Sequence, residues 1–326
     1  KVRSRIVADQ LVKLIKEADH VVIMGHRMSD LDAIGSAEGV LRICKICDVP
    51  AVIAVRRDAT LAGSLINALI AAGQEDDFID PKGALPIISQ RTLCIVVDTY
   101  QLGLVESREI LEKCGKVAVI DHHRKGVGFI EKADLVCHEP YASSASELVT
   151  EFLQYVGDRD DKPNRIEAEG LLSGIMLDTR DFTLHTGVRT FEAAAALRRY
   201  GAETEHVRQL FDVSMVEYTT KATLVSEAQM YRGCAITVSG EVAPEARVAI
   251  AQAANDLLTI QNVEASFVAV QVGGGVNISA RSLGAVNVQV IMESLGGGGH
   301  QTMAAAQLKH ITPEAVRSRI QTAIDQ

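Results

Sequence analysis

Residues 21–36 read VVIMGHRMSDLDAIGS, and this stretch predicts the first structural unit of the chain. It opens with a short apolar run, VVIMG, that is rich in β-branched residues and ends at a glycine. An amphipathic helical pattern follows from about Ala33. An apolar strand that leads into a helix is typical of a parallel sheet covered by helices on both faces.

The same pattern recurs along the first half of the chain. Further apolar strands are predicted at 51–55 (AVIAV), 93–97 (LCIVV) and 116–120 (KVAVI), with a helical segment near 61–72. In parallel sheets of this kind, functional groups gather at the carboxyl ends of the strands. Polar residues follow three of the predicted strands at that point: His26, Asp98 and the triplet Asp121-His122-His123. The sequence therefore predicts a site at this edge of the sheet.

The segment from about 144 to 229 is mainly helical by pattern. Ser144 and Glu147 fit a helix-capping box, which we favour over a catalytic serine. A helix at 166–177 runs into Asp178. Beyond it, strands are expected at 231–238, 264–272, 276–281 and 303–308, and helices at 244–257, 285–295 and 312–325.

The predicted architecture is α/β with two domains, because 326 residues exceed a typical single core. Residues 1–212 form the parallel-sheet domain, with helices on both faces. A helical linker at 213–229 joins it to a smaller α/β domain at 230–326. Gly273-Gly274-Gly275 lies between two predicted strands and indicates a hairpin turn.

Composition excludes several classes of protein. The net charge of -9 and the aromatic content of 4%, with no Trp, argue against gripping long nucleic acid. No apolar run approaches the ~20 residues that span a bilayer, so no membrane contact is expected in this segment. The six cysteines are scattered, and Cys44 and Cys47 fit helix packing better than a metal or redox role. A cytoplasmic location suits such a chain.

Residues His26, Asp30 and Asp32 form an H-x-x-x-D-x-D pattern after the first predicted strand. Two carboxylates this close would repel each other unless a cation lies beside them. A turn whose Asp caps the next helix explains the same residues, and this segment alone leaves both interpretations open.

Together, the clusters offer two imidazoles and four carboxylates. Hard oxygen ligands mixed with imidazole, without thiolate, favour Mn²⁺ or Mg²⁺ over structural zinc. Six ligands suit two ions about 3.5–4 Å apart that share one carboxylate. The candidate ligands are His26, Asp30, Asp32, Asp98, His122 and Asp178.

The chain resembles the DHH–DHHA1 phosphodiesterases over nearly its whole length. Within that family it is most similar to the catalytic region of GdpP-type bacterial cyclic di-AMP phosphodiesterases, which are membrane-anchored. A chain that begins at Lys1 fits a fragment of such a protein. The markers are GHRMSDLDAIGS (25–36), VVDT (96–99), VIDHH (119–123), GIMLDT (174–179) and LGGGGH (295–300).

The resemblance implies a role for each ligand. One ion would be held by His26, Asp30 and Asp98, and the other by Asp32, Asp98, His122 and Asp178, with Asp98 bridging. His123 would contact the scissile phosphate, which makes His123 and Asp98 the candidate catalytic residues. Asp121 would orient this segment.

The second domain resembles DHHA1, and its glycines at 296–299 would let backbone approach a nucleotide. A flexible turn with a helix-terminating glycine is the alternative, and four glycines followed by His300 exceed what that needs. Arg281 suits phosphate because its planar fork matches phosphate oxygens. The candidate substrate contacts are Ser279, Arg281, Gly298, Gly299 and His300.

The expected function is two-metal hydrolysis of cyclic di-AMP to linear 5′-pApA by a metal-bridging hydroxide, with Mn²⁺ as the favoured ion. The expected partner is thus a small cyclic dinucleotide, and a homodimer is left open. Short linear oligonucleotides or 3′-phosphoadenosine phosphate are alternative substrates. An inorganic pyrophosphatase is disfavoured by the glycine loop. A nucleotide sensor without catalysis is the alternative of another class, and the complete ligand set argues against it.

Overall fold

The computed structural model describes residues 2–124 and 126–326. The chain divides into two compact units, one ending at Asp212 and the other spanning Val213–Gln326. Each unit is built on its own six-stranded sheet with its own apolar core.

The sheet of the first unit is parallel throughout. Its strands are β1 (His20–Met24), β2 (Ala51–Ala54), β3 (Phe78–Ile79), β4 (Thr92–Val97), β5 (Lys116–Asp121) and β6 (Leu135–His138). They are arranged in the order β3-β2-β1-β4-β5-β6. The chain thus builds outward from β1 in one direction and then returns to place β4 on its other side. This reversal makes the gap between β1 and β4 the switch point where such sheets bind ligands.

Helices cover both faces of this sheet. They are α1 (Val2–Glu17), α2 (Leu31–Ile46), α3 (Gly63–Ala71), α4 (Pro81–Ala84), α5 (Arg108–Lys113), α6 (Ala145–Leu153), α7 (Arg165–Thr179), α8 (Val188–Arg199) and α9 (Thr204–Gln209). Along β1, Val21 and Ile23 enter one apolar cluster, whereas Val22 and Met24 enter the other. A strand buried on both sides has to be apolar at every position, which explains the continuous VVIM run. The predicted doubly covered parallel sheet is confirmed.

The second unit has a mixed sheet. Its elements are α10 (Met215–Ser226), β7 (Gln229–Tyr231), β8 (Cys234–Ser239), α11 (Val248–Leu257), β9 (Ala265–Val272), β10 (Gly275–Ser282), α12 (Val288–Ser294), β11 (Gly298–His300), β12 (Met303–Lys309) and α13 (Pro313–Asp325). The strand order is β11-β12-β10-β9-β8-β7, and only β8 and β9 pair in parallel. One apolar cluster takes in α12 and α13, and another takes in α10 and α11.

The second unit differs from expectation at two places. The strand predicted at 231–238 is a hairpin instead, because Arg232 and Gly233 adopt positive φ angles of 48° and 76° and turn the chain. Residues 298–300, expected to be a loop or turn, form strand β11 against β12. Glycines lack the apolar alternation that marks a strand, so this pairing leaves no trace in the sequence pattern.

Candidate metal centre

Asp98 lies at the centre of the candidate site, directly after β4 at the switch point of the sheet. Its backbone is left-handed, with φ of 60°, and its side chain is 3% exposed. Oδ2 of Asp98 lies 3.3 Å from Nε2 of His26, and Oδ1 lies 3.2 Å from Nε2 of His122. One carboxylate therefore faces an imidazole on each side, as a bridging ligand would.

Three overlapping groups of side chains present ligand atoms within 4.8 Å of one another, and Asp98 belongs to all three. The groups are His26, Asp30 and Asp98; Asp32, Asp98, His122 and Asp178; and Asp98, Asp121, His122 and His123. The first two coincide with the ligand sets that the resemblance implied for two separate ions. All six candidate ligands are thus brought together by the fold.

Asp30 fits both of its predicted roles, as a helix cap and as a candidate metal ligand. It is the N-cap of α2, since its Oδ1 accepts a hydrogen bond of 3.0 Å from the backbone N–H of Ala33. The same oxygen lies 3.7 Å from Nε2 of His26. The helix cap therefore fixes a carboxylate beside the centre, so capping and metal binding are compatible at this residue.

Asp32 is held in place by the start of α6. Its two oxygens accept hydrogen bonds of 2.8 Å from the backbone N–H groups of Ala145 and Ser146. Ser144 caps the same helix, as predicted, by accepting from the N–H of Glu147. The Glu147 carboxylate accepts from Ser143 rather than from the N-cap residue. The helix N-terminus thus orients a buried carboxylate that is 0% exposed.

Gly174 brings α7 close enough to contribute Asp178. A Cβ atom at Gly174 would lie 2.3 Å from Oγ of Ser146 and 2.8 Å from Oδ1 of Asp32. One helical turn later, Oδ2 of Asp178 lies 3.0 Å from Nε2 of His122. The sequence analysis missed this glycine, although an isolated glycine inside a helix is a signal of close packing.

The carboxylates of the cluster are close enough together to disfavour their charged forms unless positive charge lies near them. Burial and the neighbouring carboxylates Asp98 and Asp178 raise the pKa of Asp32 well above its usual value. Burial, together with the charge of Asp98, raises the pKa of Asp178 to about 6 despite its hydrogen bond with His122. Carboxylates crowded in this way favour a cation between them.

The two imidazoles, in contrast to Asp32 and Asp178, are stabilised in their charged forms. Burial opposes their charged forms, but hydrogen bonds to carboxylates outweigh it and raise the pKa of His26 to about 11 and that of His122 to about 12. Hydrogen bonds from the same two rings hold the pKa of Asp98 below its usual range, against the effect of its burial. The donor set of oxygen and imidazole nitrogen suits Mn²⁺ or Mg²⁺, so the residues fit the implied metal.

His123 has different partners from His122. Its Nδ1 lies 2.7 Å from Oδ1 of Asp121, which also accepts from the His123 backbone N–H at 3.4 Å. The side chain of His123 is 54% exposed, whereas that of His122 is 13% exposed. Adjacent histidines thus face different surroundings, and Asp121 orients His123.

In the second unit, four of the five candidate substrate contacts share one face of the sheet. Ser279 pairs with Ala305, which pairs with Gly298, while Arg281 pairs with Met303, which pairs with His300. Positions two apart on a strand point to the same side. We call the face formed by Ser279, Arg281, Gly298 and His300 the polar face.

The glycines of this segment differ in their surroundings. A Cβ atom at Gly298 would meet no atom within 4 Å, so the polar face is open at that point. A Cβ atom at Gly299 would lie 2.5 Å from Cα of Ala304, and its φ is 149°. Packing against β12 accounts for the glycine at 299, whereas it does not account for the one at 298.

The two units define a two-domain protein with an Asp/His centre at the switch point of its parallel sheet. The chain matches the DHH family, N-terminal domain, over residues 20–175 and the DHHA1 domain over residues 242–326. Since these two domains account for most of its length, the chain belongs to the DHH–DHHA1 family. The resemblance drawn from its motifs is confirmed.

Two curated relatives match nearly the whole chain. It is 45% identical over 329 residues to a cyclic-di-AMP phosphodiesterase, GdpP, of Geobacillus thermodenitrificans, covering 99% of this chain and 50% of that protein. It is 41% identical over 330 residues to a cyclic-di-AMP phosphodiesterase, PdeA, of Listeria monocytogenes, covering 100% and 50%. The chain therefore spans about half the length of these relatives.

Among solved structures, an exopolyphosphatase-related protein from Bacteroides fragilis has the same fold. The TM-score is 0.82 at 21% identity, covering 98% of this chain and 96% of that one. Within the part of the chain that the structure describes, no helix is both long and apolar enough to cross a membrane.

Proposed function

We propose that this chain hydrolyses cyclic di-AMP to linear 5′-pApA with two divalent metal ions. The observation that carries the proposal is the central position of Asp98, which belongs to every cluster of candidate ligands found among the described residues. The names of relatives at 41–45% identity supply the substrate. Those relatives are about twice as long as this chain, so the substrate is inferred for it and awaits the experiment below.

Each ion has its own set of ligands in the proposal. His26, Asp30 and Asp98 hold one ion, and Asp32, Asp98, His122 and Asp178 hold the other. When bound, the ions supply a hydroxide nucleophile and neutralise charge on the phosphate. Mn²⁺ is the favoured ion because hard oxygens and imidazoles make up the set.

His123 acts on the substrate rather than on a metal. Its Nδ1 donates to Asp121, and the hydrogen bond to this carboxylate raises the pKa of His123 against the effect of burial. In its protonated form the ring offers its Nε2–H as a donor to a phosphate oxygen. A donor aimed at developing negative charge stabilises the transition state.

The polar face of the second unit binds the nucleotide in this proposal. Gly298 leaves room for a ligand to approach the backbone, and Arg281 and His300 are donors suited to phosphate or a base. Gly299 stays in the proposed contact set through its backbone, and its lack of a side chain also allows β11 to pack against β12. In this proposal, residues 1–212 catalyse hydrolysis and residues 230–326 recognise the substrate. The helix within 213–229 links the two segments of the chain.

The test is to incubate the protein with Mn²⁺ and cyclic di-AMP and to resolve the products by chromatography. We expect accumulation of pApA that depends on the metal. Loss of an outer-shell partner of a metal typically costs about 10–100-fold in activity. Asp98→Asn removes a proposed direct ligand and should lower turnover by more than that. Asp19→Asn, a change on the surface at a 61% exposed side chain, is the matched control and should be silent.

Comparison of substrates separates the alternatives. Faster hydrolysis of pApA or 3′-phosphoadenosine phosphate than of cyclic di-AMP would replace the proposed substrate. Tight binding of cyclic di-AMP without turnover in Mn²⁺ would favour a sensor. A cytoplasmic location accords with six free cysteines, and light scattering of the purified chain decides whether it forms a homodimer.

A further inference from the structure

The backbone after His122 is held by two side chains that the sequence analysis did not single out. The hydroxyl of Tyr100 donates a hydrogen bond of 2.8 Å to the backbone carbonyl of Arg124. Nε2 of His138, at the end of β6, donates to the backbone carbonyl of His123. A carbonyl only accepts, so both donors point at two consecutive peptide groups.

The two donors form one unit. The rings of Tyr100 and His138 meet edge to face, with centroids 5.5 Å apart and an interplanar angle of 80°. Tyr100 is 6% exposed, so its hydroxyl is fixed by its surroundings. We call this pair of residues the backbone clamp.

The clamp acts on the backbone carbonyls of His123 and of the residue that follows it. Asp121 fixes the other side of the same residue, through the His123 N–H and Nδ1. Among the described residues, none makes a hydrogen bond with Nε2 of His123. The histidine is therefore anchored at its backbone and at one ring nitrogen, and its side chain is 54% exposed.

The surrounding segments are shaped to accommodate the clamp. The stretch after Asp98 runs antiparallel to the stretch after the DHH triplet, with Ile130 donating to Tyr100 and Leu102 donating to Gly128, both at 2.9 Å. A Cβ atom at Gly126 would lie 2.9 Å from the Tyr100 hydroxyl. The absence of a side chain there leaves room for that hydroxyl.

We infer that Tyr100 and His138 are positioning residues, which fix the backbone carbonyls of His123 and Arg124 and so aim the His123 ring at the scissile phosphate. This inference rests on the proposed role of His123 in hydrolysis. Within the described part of the chain, no hydrogen bond joins either clamp residue to the proposed metal ligand His122. They act by fixing the orientation of the His123 ring, because a catalytic donor has to be placed to within a fraction of an ångström.

The first test removes one donor at a time. Tyr100→Phe keeps the ring contact and loses only the hydroxyl, and His138→Phe loses the N–H. Each change should lower kcat by about tenfold, since misplacement of a catalytic group by 1 Å costs up to about 100-fold. KM, Mn²⁺ affinity and thermal midpoint should stay close to those of the parent protein.

Two further variants sharpen this test. His138→Gln retains an N–H donor at similar reach and should recover most of the lost kcat, which a purely structural role would not predict. Tyr141→Phe is the matched control, because Tyr141 is 94% exposed and no hydrogen bond in the described part of the chain joins it to either clamp residue. It should leave kcat unchanged.

A second readout does not depend on activity. Nitrogen NMR of the metal-free protein reports the ring signals of His123, which are assigned by their loss in His123→Gln. The parent protein should give one sharp set, and Tyr100→Phe should give broadened or doubled signals. If the parent fails to hydrolyse cyclic di-AMP, the proposed function fails, and the clamp is still judged by these signals and by kcat on bis(4-nitrophenyl) phosphate.

An unchanged kcat in Tyr100→Phe, or unchanged His123 signals in that variant, overturns the inference. A fall in kcat accompanied by equal losses in Mn²⁺ affinity and thermal midpoint also overturns it, because it indicates a general structural role.

Discussion

Nε2 of His122 lies 3.0 Å from Oδ2 of Asp178, which joins the end of β5 to the last turn of α7. Two elements far apart in the chain thus meet at one point of the centre. Their contact depends on the close approach of α7 to α2, since Asp178 belongs to the helix and not to the sheet.

Removing Asp178 should affect one ion more than the other. In Asp178→Ala, calorimetric titration with Mn²⁺ should show loss of one of two binding events, because Asp178 belongs to only one of the two proposed ligand sets. Turnover should fall by about 100-fold or more, as expected when a direct ligand is lost. Asp181→Asn is the control, because Asn tolerates the positive φ of 54° at that exposed position. Equal weakening of both events would contradict the assignment.

A methyl group at Gly174 should destabilise the first unit. Gly174→Ala places a Cβ atom against Ser146 and Asp32, and overpacking of this kind costs about 1–3 kcal/mol of the free energy of unfolding. Gly63→Ala has nothing within 4 Å of the new Cβ and should instead stabilise α3 by about 0.5–1 kcal/mol. Urea denaturation of both variants measures the contrast, and equal stabilities would show that α7 can shift freely.

Metal binding should release protons. The pKa values of about 11 and 12 for His26 and His122 mean that both rings are protonated at neutral pH before an ion binds. An ion needs the neutral rings, so binding expels at least one proton and Mn²⁺ affinity should rise as pH rises. Calorimetry in buffers of different ionisation enthalpy counts these protons. A heat independent of the buffer would show that the two rings are already neutral before the ion binds.

Glu38 should make the fold less stable as pH rises. Burial, followed by the charges of Asp77 and Glu167, raises its pKa well above the ordinary 4.5. Between these two values the folded chain holds a proton that the unfolded chain has lost, so this residue lowers the free energy of unfolding as pH increases. The slope is at most about 1.4 kcal/mol per pH unit.

Glu38→Gln removes that titration. The stability difference between Glu38→Gln and the parent should therefore grow in favour of the variant from pH 5 to pH 8, as measured by urea denaturation. Glu75→Gln, at a 71% exposed side chain, should show no such trend. A constant difference across this range would mean that Glu38 titrates as it does in the unfolded chain.

The fold of the first unit could be predicted from the sequence because it depends on local patterns of apolar residues. A strand buried on both faces has to be apolar, and Asp98 and His122 follow such strands directly. The positions of these candidate ligands at one sheet edge could therefore be inferred from spacing and parallel topology.

Features that depend on long-range contact were not predictable in this way. The fit of Gly174 against Ser146 and Asp32 involves three separate elements, so the glycine within a helical pattern indicates close packing but does not identify its partners. The pairing of His138 with the His123 carbonyl depends on the placement of β6 beside β5. Strand β11 was missed for a different reason, since its glycines carry no alternation.

The left-handed backbone of Asp98 restricts how this position can change in evolution. Asp, Asn and Gly adopt a φ of 60° most readily, and only Asp among them carries a charge. Asn and Gly are each reached from an Asp codon by a single nucleotide substitution, and either would keep the fold while removing the shared ligand. Under the proposed function, the chain is thus one point mutation away from a folded form that no longer catalyses hydrolysis.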